Sequence, residues 1–408
     1  MLEWKLIRLG DICVTNKNSY SSKDNWKFVN YLDTGSITEN KITELQYINI
    51  ETDKMPSRAR RKVIKNSILY STVRPNQLHY GIIKEPVDNL LVSTGFTVID
   101  VDTNKAIPEF IYYLLTQNNI TGQLQAIAEQ SVSTYPSIKS SDIEDLEFKL
   151  PNLIIQNKIV SILDTIDSKI CQNEKINNNL EQQAQAIFKS WFVDFEPFGG
   201  VQPSEMQFIP LQELCKVVTK GTTPTTLGKS FTSSGINFIK AESILDNHSI
   251  DSSKFAFIDE ETNALLKRSI IKANDIVFTI AGTLGRFAMV DNSVLPANTN
   301  QAVAIIRPDE TKVTPAYLYS FFIGNWHNEY YSKRIQQAVQ ANLSLTTIKS
   351  LPIAVLNNTT MSNYDKLVSP LFALMKNNEE ENRRLSKLRD ALLPKLMSGE
   401  LDVSDINL

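Results

Sequence analysis

The segment IPEFIYYLLTQN (residues 107–118) has a counterpart, TPAYLYSFFIGN (residues 314–325), in the second half of the 408-residue chain. The alignment places Pro108 beside Pro315, and the aromatic and apolar residues that follow share one pattern. Self-similarity at a long period is the signature of a repeated architecture, because each copy specifies the same local structure. The chain is therefore predicted to consist of two related halves.

Other segments repeat in the same order. RLGDIC (8–13) returns as PLQELC (210–215), and the apolar strand SILYSTV (67–73) returns as DIVFTIA (275–281). The spacing drifts by only a few residues, as loop insertions produce. Each half is predicted to be a mixed domain of short β-branched strands and loops, followed by one long helix.

The two predicted helices carry the alternating four- and three-residue spacing of a coiled-coil seam. The first seam consists of Ile159, Leu163, Ile166, Ile170, Asn173, Asn177, Leu180, Ala184, Ile187 and Trp191. The second seam consists of Leu367, Leu371, Leu374, Asn378, Glu381, Leu385, Leu388 and Leu392. A seam that starts at Ile159 and ends at Trp191 is a rod of about 50 Å.

Asn173 and Asn378 occupy equivalent positions in the two seams. A buried Asn is best tolerated opposite another polar group, and such pairs fix the register of coiled coils. We therefore predict an antiparallel helix pair in which Asn173 faces Asn378. The alternative is that both residues lie on a wet, loosely packed stretch.

These patterns predict an α+β protein in which two mixed α/β domains are joined by two long antiparallel coiled-coil helices, with a pseudo-two-fold internal repeat. The Pro and Gly residues of FEPFGGVQPSEM (195–206) end the first helix and lead into the second half. The predicted domains are residues 1–150, the central helix 151–198, residues 199–360 and the C-terminal helix 361–408.

The composition narrows the possible functions. The chain has 42 Lys and Arg against 45 Asp and Glu, a formal charge of -3, which excludes a strongly basic, non-specific polyanion binder. No apolar run approaches the roughly 20 residues of a membrane span, so we expect a cytoplasmic protein without membrane contact. Cys13, Cys171 and Cys215 lack the spacing of a disulfide framework or a zinc site, and no metal site is expected.

Catalytic signatures are lacking in the sequence, which contains no GxGxxG, HExxH or GxSxG motif. GTTPTTLGKS (221–230) resembles a phosphate-binding loop, but six residues separate its glycines where four are required. No catalytic residue is therefore predicted.

Basic and polar loop residues of the first half are candidates for contacts with DNA. KMPSRARRKVIK (54–65) carries six positive charges and no negative one, and TVRPNQ (72–77) follows a predicted strand. Arg can bind phosphate or the edge of guanine, although a solvated basic turn is the alternative. The candidates, which include two residues of a later polar loop, are Arg58, Arg60, Arg61, Lys62, Arg74, Asn76, Ser133 and Thr134.

The corresponding stretches of the second half include VTKGTTPTT (218–226), AGTLGR (281–286) and NTNQAV (298–303). Gly lets backbone approach a ligand closely, Thr can bind phosphate, and Asn or Gln can read adenine. Ordinary turn chemistry explains each stretch as well. The candidates are Lys220, Thr222, Thr223, Thr283, Arg286, Asn298, Asn300, Gln301, Asn342 and Ser344.

The helix ends AIFKSWFVDFEPF (186–198) and LRDALLPKLMSGEL (388–401) resemble the helical regions of specificity subunits from type I restriction-modification systems. PNLIIQNKIVSILDTID (151–167) is similar to the segment that opens the first helix in this family, although the frequent Glu-Gln pair is here Ile155-Gln156. NTNQAV, GTTPTT and STVRPN are similar to segments of target recognition domains, so the resemblance covers essentially the full length.

The resemblance implies a non-catalytic subunit whose two target recognition domains read a bipartite, asymmetric sequence in double-stranded DNA. The helices would space these domains and dock two methyltransferase subunits that use S-adenosylmethionine, and restriction subunits would use ATP and Mg²⁺. No cofactor is expected in this chain. The candidate docking residues, which could instead pack against the chain's own domains, are Phe188, Trp191, Phe192, Phe195, Leu393, Leu396 and Met397.

Two other function classes remain open on the sequence. The chain could be a stand-alone DNA-modifying enzyme with an unfamiliar site, or a coiled-coil adaptor that binds only proteins. Turnover by the purified chain would favour the enzyme, and a lack of salt-sensitive DNA binding would favour the adaptor.

Overall fold

The computed structural model describes residues 4–131, 135–326, 330 and 343–406. The chain forms two compact units, each with a globular domain and parts of two long helices. Unit 1 comprises Met1–Ile170 and Asn382–Leu408, and unit 2 comprises Cys171–Glu381. The predicted division into four consecutive domains stays a prediction.

Unit 1 contains short strands and three short helices. Its strands are β1 (Lys5–Arg8), β2 (Cys13–Thr15), β3 (Phe28–Leu32), β4 (Ile37–Thr38), β5 (Lys41–Ile42), β6 (Gln46–Asn49), β7 (Ala59–Lys62), β8 (Ser67–Ser71), β9 (Tyr80–Ile83), β10 (Leu90–Ser93), β11 (Phe96–Val101) and β12 (Glu147–Leu150). Its short helices are α1 (Pro108–Leu115), α2 (Asn118–Glu129) and α3 (Ser140–Glu144). The long helix α4 (Leu153–Phe192) begins in unit 1 and ends in unit 2.

Unit 2 follows the same plan. Its strands are β13 (Gln207–Pro210), β14 (Cys215–Lys220), β15 (Ile236–Ile239), β16 (Ala256–Ile258), β17 (Ile276–Thr279), β18 (Phe287–Met289), β19 (Ala297–Thr299), β20 (Val303–Pro308) and β21 (Pro352–Val355). Its short helices are α5 (Glu260–Leu265), α6 (Pro315–Ile323) and α7 (Leu345–Lys349). The long helix α8 (Asn358–Ser398) begins in unit 2 and ends in unit 1.

One four-stranded sheet and two strand pairs correspond between the two units. The order β2-β11-β8-β9 in unit 1 returns as β14-β20-β17-β18 in unit 2. The parallel pair of β3 and β10 returns as β15 and β19, and the pair of β1 and β12 returns as β13 and β21. The remaining described sheets are β6-β3-β10-β7, β16-β15-β19 and β4-β5. The predicted α+β fold with an internal repeat is confirmed.

The repeated segments occupy equivalent elements. SILYSTV contributes β8 and DIVFTIA contributes β17, and both strands are buried along their whole length, which explains their continuous apolar character. Pro108 and Pro315 stand at the first positions of α1 and α6. Proline suits this position because its fixed φ matches the helix and the first N–H needs no helical acceptor.

The two long helices lie antiparallel in each unit. In unit 1, Arg389 Nη1 donates to Asp167 Oδ1 at 3.0 Å, while the earlier Lys158 donates to the later Ser404 carbonyl. In unit 2, Asn173 Nδ2 donates to Glu381 Oε2 at 2.7 Å. The antiparallel pairing that the seams predict is therefore present in both units. Across the described residues, neither long helix nor any shorter one has an apolar stretch that could span a membrane.

A polar layer of Asn173, Asn177, Asn378 and Glu381 joins the helices in unit 2. Asn378 Nδ2 donates to Asn177 Oδ1 at 2.8 Å, and Asn173 bonds to Glu381 as described. These partners lie about one turn away from the predicted pairing of Asn173 with Asn378. Both Asn side chains are buried, so neither lies on a wet stretch. Their role in fixing the register stays a prediction.

The predicted seam of α8 is wrong at Leu367, Leu374 and Leu388, whose side chains are 47%, 45% and 48% exposed. The buried stripe runs instead through Val368 and Met375, which belong to the core of unit 2. The physical reason is that the globular domain as well as the partner helix covers α8. The buried face of α8 is therefore rotated by about one residue from the face that the heptad spacing predicts.

The candidate docking residues lie in the chain's own cores. Their shared feature is packing against the globular domain, which buries Phe188 and Phe192 in unit 2 and Leu396 and Met397 in unit 1. Trp191 and Phe195 are partly buried in unit 2 and Leu393 in unit 1. The docking prediction is thus wrong for the four buried side chains, because their apolar faces are already covered, and the packing alternative describes them.

Asp167→Asn should lower the free energy of unfolding of unit 1 by about 2 kcal/mol, in the range of hydrogen bonds to charged groups. The Asp167 carboxylate accepts from Tyr113 Oη at 2.7 Å and from Arg389, so it ties α1 to both long helices. Hydrogen exchange of the α1 amides measures the change. Asp164→Asn removes an exposed partner of Lys84 and should cost less than about 1 kcal/mol. Equal effects of the two substitutions would contradict this role for Asp167.

Candidate nucleic-acid interface

In each unit, the loop that follows β8 or β17 contacts the turn that precedes the neighbouring strand, β11 or β20. In unit 1, Thr72 N donates to Gly95 O at 2.8 Å, and Thr94 N donates to Arg58 O at 2.9 Å. We call residues 57–58, 72–77, 93–95 and 135–137 loop cluster 1. In unit 2, Ile280 N donates to Ala302 O at 2.8 Å, which is the equivalent contact. We call residues 220–223, 280–286 and 300–302 loop cluster 2.

Loop cluster 1 contains two exposed arginines, Arg58 and Arg74. The guanidinium carbon of Arg74 lies 5.2 Å from the ring centre of Tyr135, a cation–π contact. Asn76 is also exposed, and its backbone N–H donates to Gln125 Oε1 at 3.2 Å. These three predicted residues therefore lie together at the surface.

The other basic candidates of unit 1 lie on the edge strand β7. Lys62 pairs with Asp24 and lies 5.1 Å from the centre of the Trp26 ring, so its charge is used within the fold. Arg61 is partly buried, and burial lowers the pKa of its guanidinium. Arg60 is exposed, and its Nε donates to Ser57 O at 3.3 Å. Only Arg60 of these three presents its charge to solvent.

Loop cluster 2 depends on a close approach of two backbones. Gly221 N donates to Asn300 O at 3.1 Å, and a Cβ on Gly221 would lie 1.8 Å from Thr299 O. The glycine therefore lets the GTTPTT loop lie directly on the turn after β19. Thr223 Oγ1 donates to Gln301 Oε1 across this contact, which orients the exposed Gln301 amide.

The remaining candidates of loop cluster 2 differ in exposure. Lys220 and Thr283 are exposed, whereas Thr222 and Asn300 are half-buried. Asn300 Oδ1 accepts from Ala302 N at 3.1 Å, which stabilises the turn. The cluster thus presents the exposed cation Lys220 with several hydroxyl and amide groups, while its second cation, Arg286, is paired with Asp246.

Arg268 is a candidate that the sequence analysis missed. Its Nη2 donates to Thr222 Oγ1 at 3.4 Å, so the exposed guanidinium lies beside loop cluster 2. The adjacent Lys267 and Arg268 form a visible basic pair in the sequence. This pair is far from the GTTPTT loop in the sequence, so its contact with the loop becomes visible only in the folded structure.

Three predicted DNA-binding residues of unit 2 bind other groups within the fold. Asn298 is fully buried, and its amide bonds to Asn263, Ser269 and Thr299 N. Arg286 holds Asp246 through Nε at 2.6 Å and Nη2 at 2.5 Å.

Ser344 caps α7 by accepting from Thr347 N at 3.0 Å. The prediction was wrong for Asn298, whose side chain is fully enclosed, because turn residues share their chemistry with residues that bind DNA. The predictions for Arg286 and the exposed Ser344 stay predictions. The predicted Ser133, Thr134 and Asn342 lie outside the described residues.

Cys13, which is buried, and Cys215, which is half-buried, occupy equivalent positions in the two units and are poor nucleophiles. Burial raises the pKa of Cys13 and of Cys215 to about 12, so both thiols stay protonated near neutral pH. In the described parts of the chain, no group of three or more His, Cys, Asp and Glu side chains could hold a metal ion.

The chain is thus a duplicated protein of two repeated domains, each with a polar loop cluster at its surface. Residues 1–182 and 203–357 match the type I restriction modification DNA specificity domain family. The chain belongs to this family.

Two curated relatives have similar sequences over nearly the whole length. The Type I restriction enzyme HindI specificity subunit of Haemophilus influenzae is 28% identical, over 98% of this chain and 100% of that protein. The MjaIX specificity subunit of Methanocaldococcus jannaschii is 25% identical, over 98% of this chain and 94% of that protein. A solved S subunit of a type I restriction-modification system from M. genitalium shares the fold, with a TM-score of 0.56, 16% identity and coverage of 99% of this chain and 97% of that one.

Proposed function

We propose that the chain is the non-catalytic DNA-specificity subunit of a type I restriction-modification complex. Each globular domain would read one half of a bipartite, asymmetric target, and the helices would set the spacing between the half-sites. The observation that carries this proposal is the loop cluster that both units build around an equivalent backbone hydrogen bond but with unlike side chains.

The difference between the clusters is clearest at Arg74 and Gly282. Arg74 follows Thr72 by two residues, and Gly282 follows Ile280 by two residues, after the equivalent hydrogen bonds of the loop clusters. Both residues have positive φ, 48° for Arg74 and 79° for Gly282. One unit therefore presents a guanidinium where the other presents no side chain, which supports two unlike half-sites.

The two kinds of exposed side chain have separate tasks in this proposal. Exposed cations such as Arg58 and Lys220 would bind phosphates, which gives affinity and salt dependence without sequence information. Arg74 and Gln301 have the planar, bidentate groups that read guanine and adenine in the major groove.

Catalysis would lie in partner subunits. We propose two methyltransferase subunits that bind S-adenosylmethionine and restriction subunits that bind ATP and Mg²⁺, and the specificity-subunit names of the curated relatives support this arrangement. Exposed apolar side chains on α8, such as Leu367 and Leu374, are open to docking where the buried aromatics are not. The complex would act in the cytoplasm, where its DNA lies.

Selection from randomised duplexes tests the proposal. The chain, purified with its methyltransferase subunits, should enrich two unlike short motifs at one set distance, and its DNA affinity should fall steeply with salt. Methyl transfer or cleavage by the chain alone with S-adenosylmethionine and Mg²⁺ would instead support an enzyme. No salt-sensitive DNA binding in the complex would support a protein adaptor.

Lys220→Ala should weaken binding to all duplexes about equally and reduce the slope of log affinity against log salt by about 1. The reason is the loss of one phosphate contact from loop cluster 2. Lys175→Ala is the control, because Lys175 is exposed on α4 and lies outside both clusters. Equal salt slopes for the two variants would place Lys220 away from the DNA.

A further inference from the structure

We propose that Tyr135 is a positioning residue that holds Arg74 as the reader of a guanine in the first half-site. This inference rests on the proposed function and names the chemistry of one base position. It assigns Arg74 to a base edge rather than to a phosphate, and it gives Tyr135 a role that its sequence context does not suggest.

The Arg74 backbone is held in an unusual conformation. Its φ of 48° and ψ of 71° lie in the left-handed region, directly before Pro75. Both features are unfavourable for a side chain such as Arg, and strained backbone concentrates at functional positions. Hydrogen bonds from Arg74 N to Pro136 O at 3.0 Å and from Gln77 N to Arg74 O at 2.9 Å hold it there. The side chain therefore leaves the loop from a fixed point.

The Tyr135 ring orients the guanidinium. The 5.2 Å contact places the guanidinium carbon over the ring, and a cation–π contact of this kind does not supply the N–H groups with a hydrogen-bond acceptor. No hydrogen bond or ion pair joins the Arg74 side chain to another residue in the described part of the chain. Its donors are thus free to form the paired bonds to O6 and N7 of guanine.

Other arginines of the chain show the contrast. Three of them form ion pairs through guanidinium donors: Arg286 with Asp246, Arg307 with Asp275 and Arg389 with Asp167. Those donors are engaged within the fold. Arg74 instead combines an oriented guanidinium with unengaged donors, an arrangement that lowers the ordering cost of binding.

Tyr135 is itself held beside Arg74. Val73 and Ser137 form an isolated β-bridge, and Ile138 N donates to Thr72 O at 2.8 Å. The Tyr135 side chain nevertheless remains 58% exposed. An aromatic side chain that is this exposed and is held next to Arg74 by its neighbouring backbone is suited to position another side chain rather than to fill a core.

A guanine contact and a phosphate contact require different things of residue 74. A phosphate needs a positive charge and accepts Lys, whereas paired bonds to a guanine edge from a cation held on an aromatic ring favour the planar fork of Arg over Lys. The equivalent Gly282 in unit 2 indicates that this backbone position folds without a side chain. The Arg74 side chain can therefore be removed without removing the loop.

The test uses the full chain with its methyltransferase subunits and the same randomised duplexes. Wild type should prefer guanine at one position of one half-site by about tenfold or more, the range of one bidentate contact. Tyr135→Phe keeps the stack and should retain that preference, whereas Tyr135→Ala should reduce it several-fold. Arg74→Lys should lose it while the salt slope stays within about 0.3 of wild type, since the charge remains. The second half-site should be unchanged in every variant.

Arg74→Gly separates recognition from folding. It should abolish the guanine preference while the thermal midpoint stays level or rises, because glycine adopts the left-handed conformation freely. A bipartite motif in which Tyr135→Ala and Arg74→Lys keep the wild-type preference at every position would overturn this inference alone. A wild-type complex that enriches no bipartite motif would overturn the proposed function and this inference with it.

Discussion

Arg307→Met should lower the free energy of unfolding of unit 2 by about 3–5 kcal/mol, the cost of leaving a buried charge without its partner. Asp275 is fully buried, and Arg307 binds it through Nε and Nη2, both at 2.7 Å. Arg307 Nη2 also donates to Ile270 O at 3.0 Å. Methionine matches the length of the side chain but supplies no donor, so the Asp275 carboxylate would lose its cation.

The repeat supplies a comparison for this pair. In unit 1, the equivalent strands β8 and β11 carry Ser67 and Asp100, and Ser67 Oγ donates to Asp100 Oδ1 at 2.6 Å. The carboxylate thus lies on β11 in unit 1 but directly before β17 in unit 2. Its partner is a hydroxyl in unit 1 and a guanidinium in unit 2, so the ion pair at this place is in unit 2. Ser67 Oγ also accepts from Ile64 N at 2.9 Å, so a Ser67→Ala substitution removes two hydrogen bonds and should cost about 2 kcal/mol.

Hydrogen exchange of the β17 and β20 amides measures the effect of Arg307→Met within unit 2. Lys84→Ala, which removes the exposed partner of Asp164, should stay within about 1 kcal/mol of wild type. Asp275→Ala combined with Arg307→Met should be less destabilising than Arg307→Met alone, because no buried charge remains. A loss below about 1 kcal/mol in the single variant would mean that water or another group already compensates Asp275.

Gly221→Ala should destabilise loop cluster 2 by about 3 kcal/mol, near the upper end for overpacking. The added Cβ would lie 1.8 Å from Thr299 O and 2.7 Å from Asn300 O, and both atoms belong to the backbone. No side-chain rotation can relieve these contacts, so the GTTPTT loop must move away from the turn after β19. The contact between Thr223 and Gln301 should be lost as well.

Selection from randomised duplexes reports the consequence for recognition. The Gly221→Ala complex should lose the motif of the second half-site and retain that of the first. Gly122→Ala is the matched control, because a Cβ there meets nothing within 4 Å and alanine favours the α2 helix by about 1 kcal/mol. An unchanged second motif in the Gly221→Ala complex would show that loop cluster 2 does not read DNA.

The amino-acid sequence specified the repeat, the helices and the class of protein. These features depend on local preferences and on periodicity, both of which can be read from residues that are close together in the sequence. They include Pro108 and Pro315, the buried strands β8 and β17, and the long apolar stripes of α4 and α8. Exposed candidates such as Arg74 also followed from sequence, since a basic loop residue after a buried strand has few apolar neighbours to cover it.

Tertiary structure alone decided which polar groups are engaged and which apolar faces are covered. Arg286 finds Asp246, Asn298 is enclosed by groups from other segments, and Arg268 reaches the GTTPTT loop only after folding. Heptad spacing identified apolar positions on α8 but could not show that the domain core covers Val368 and leaves Leu367 exposed. The physical reason is that hydrogen-bond partners and packing surfaces come from distant parts of the chain, which periodicity does not encode.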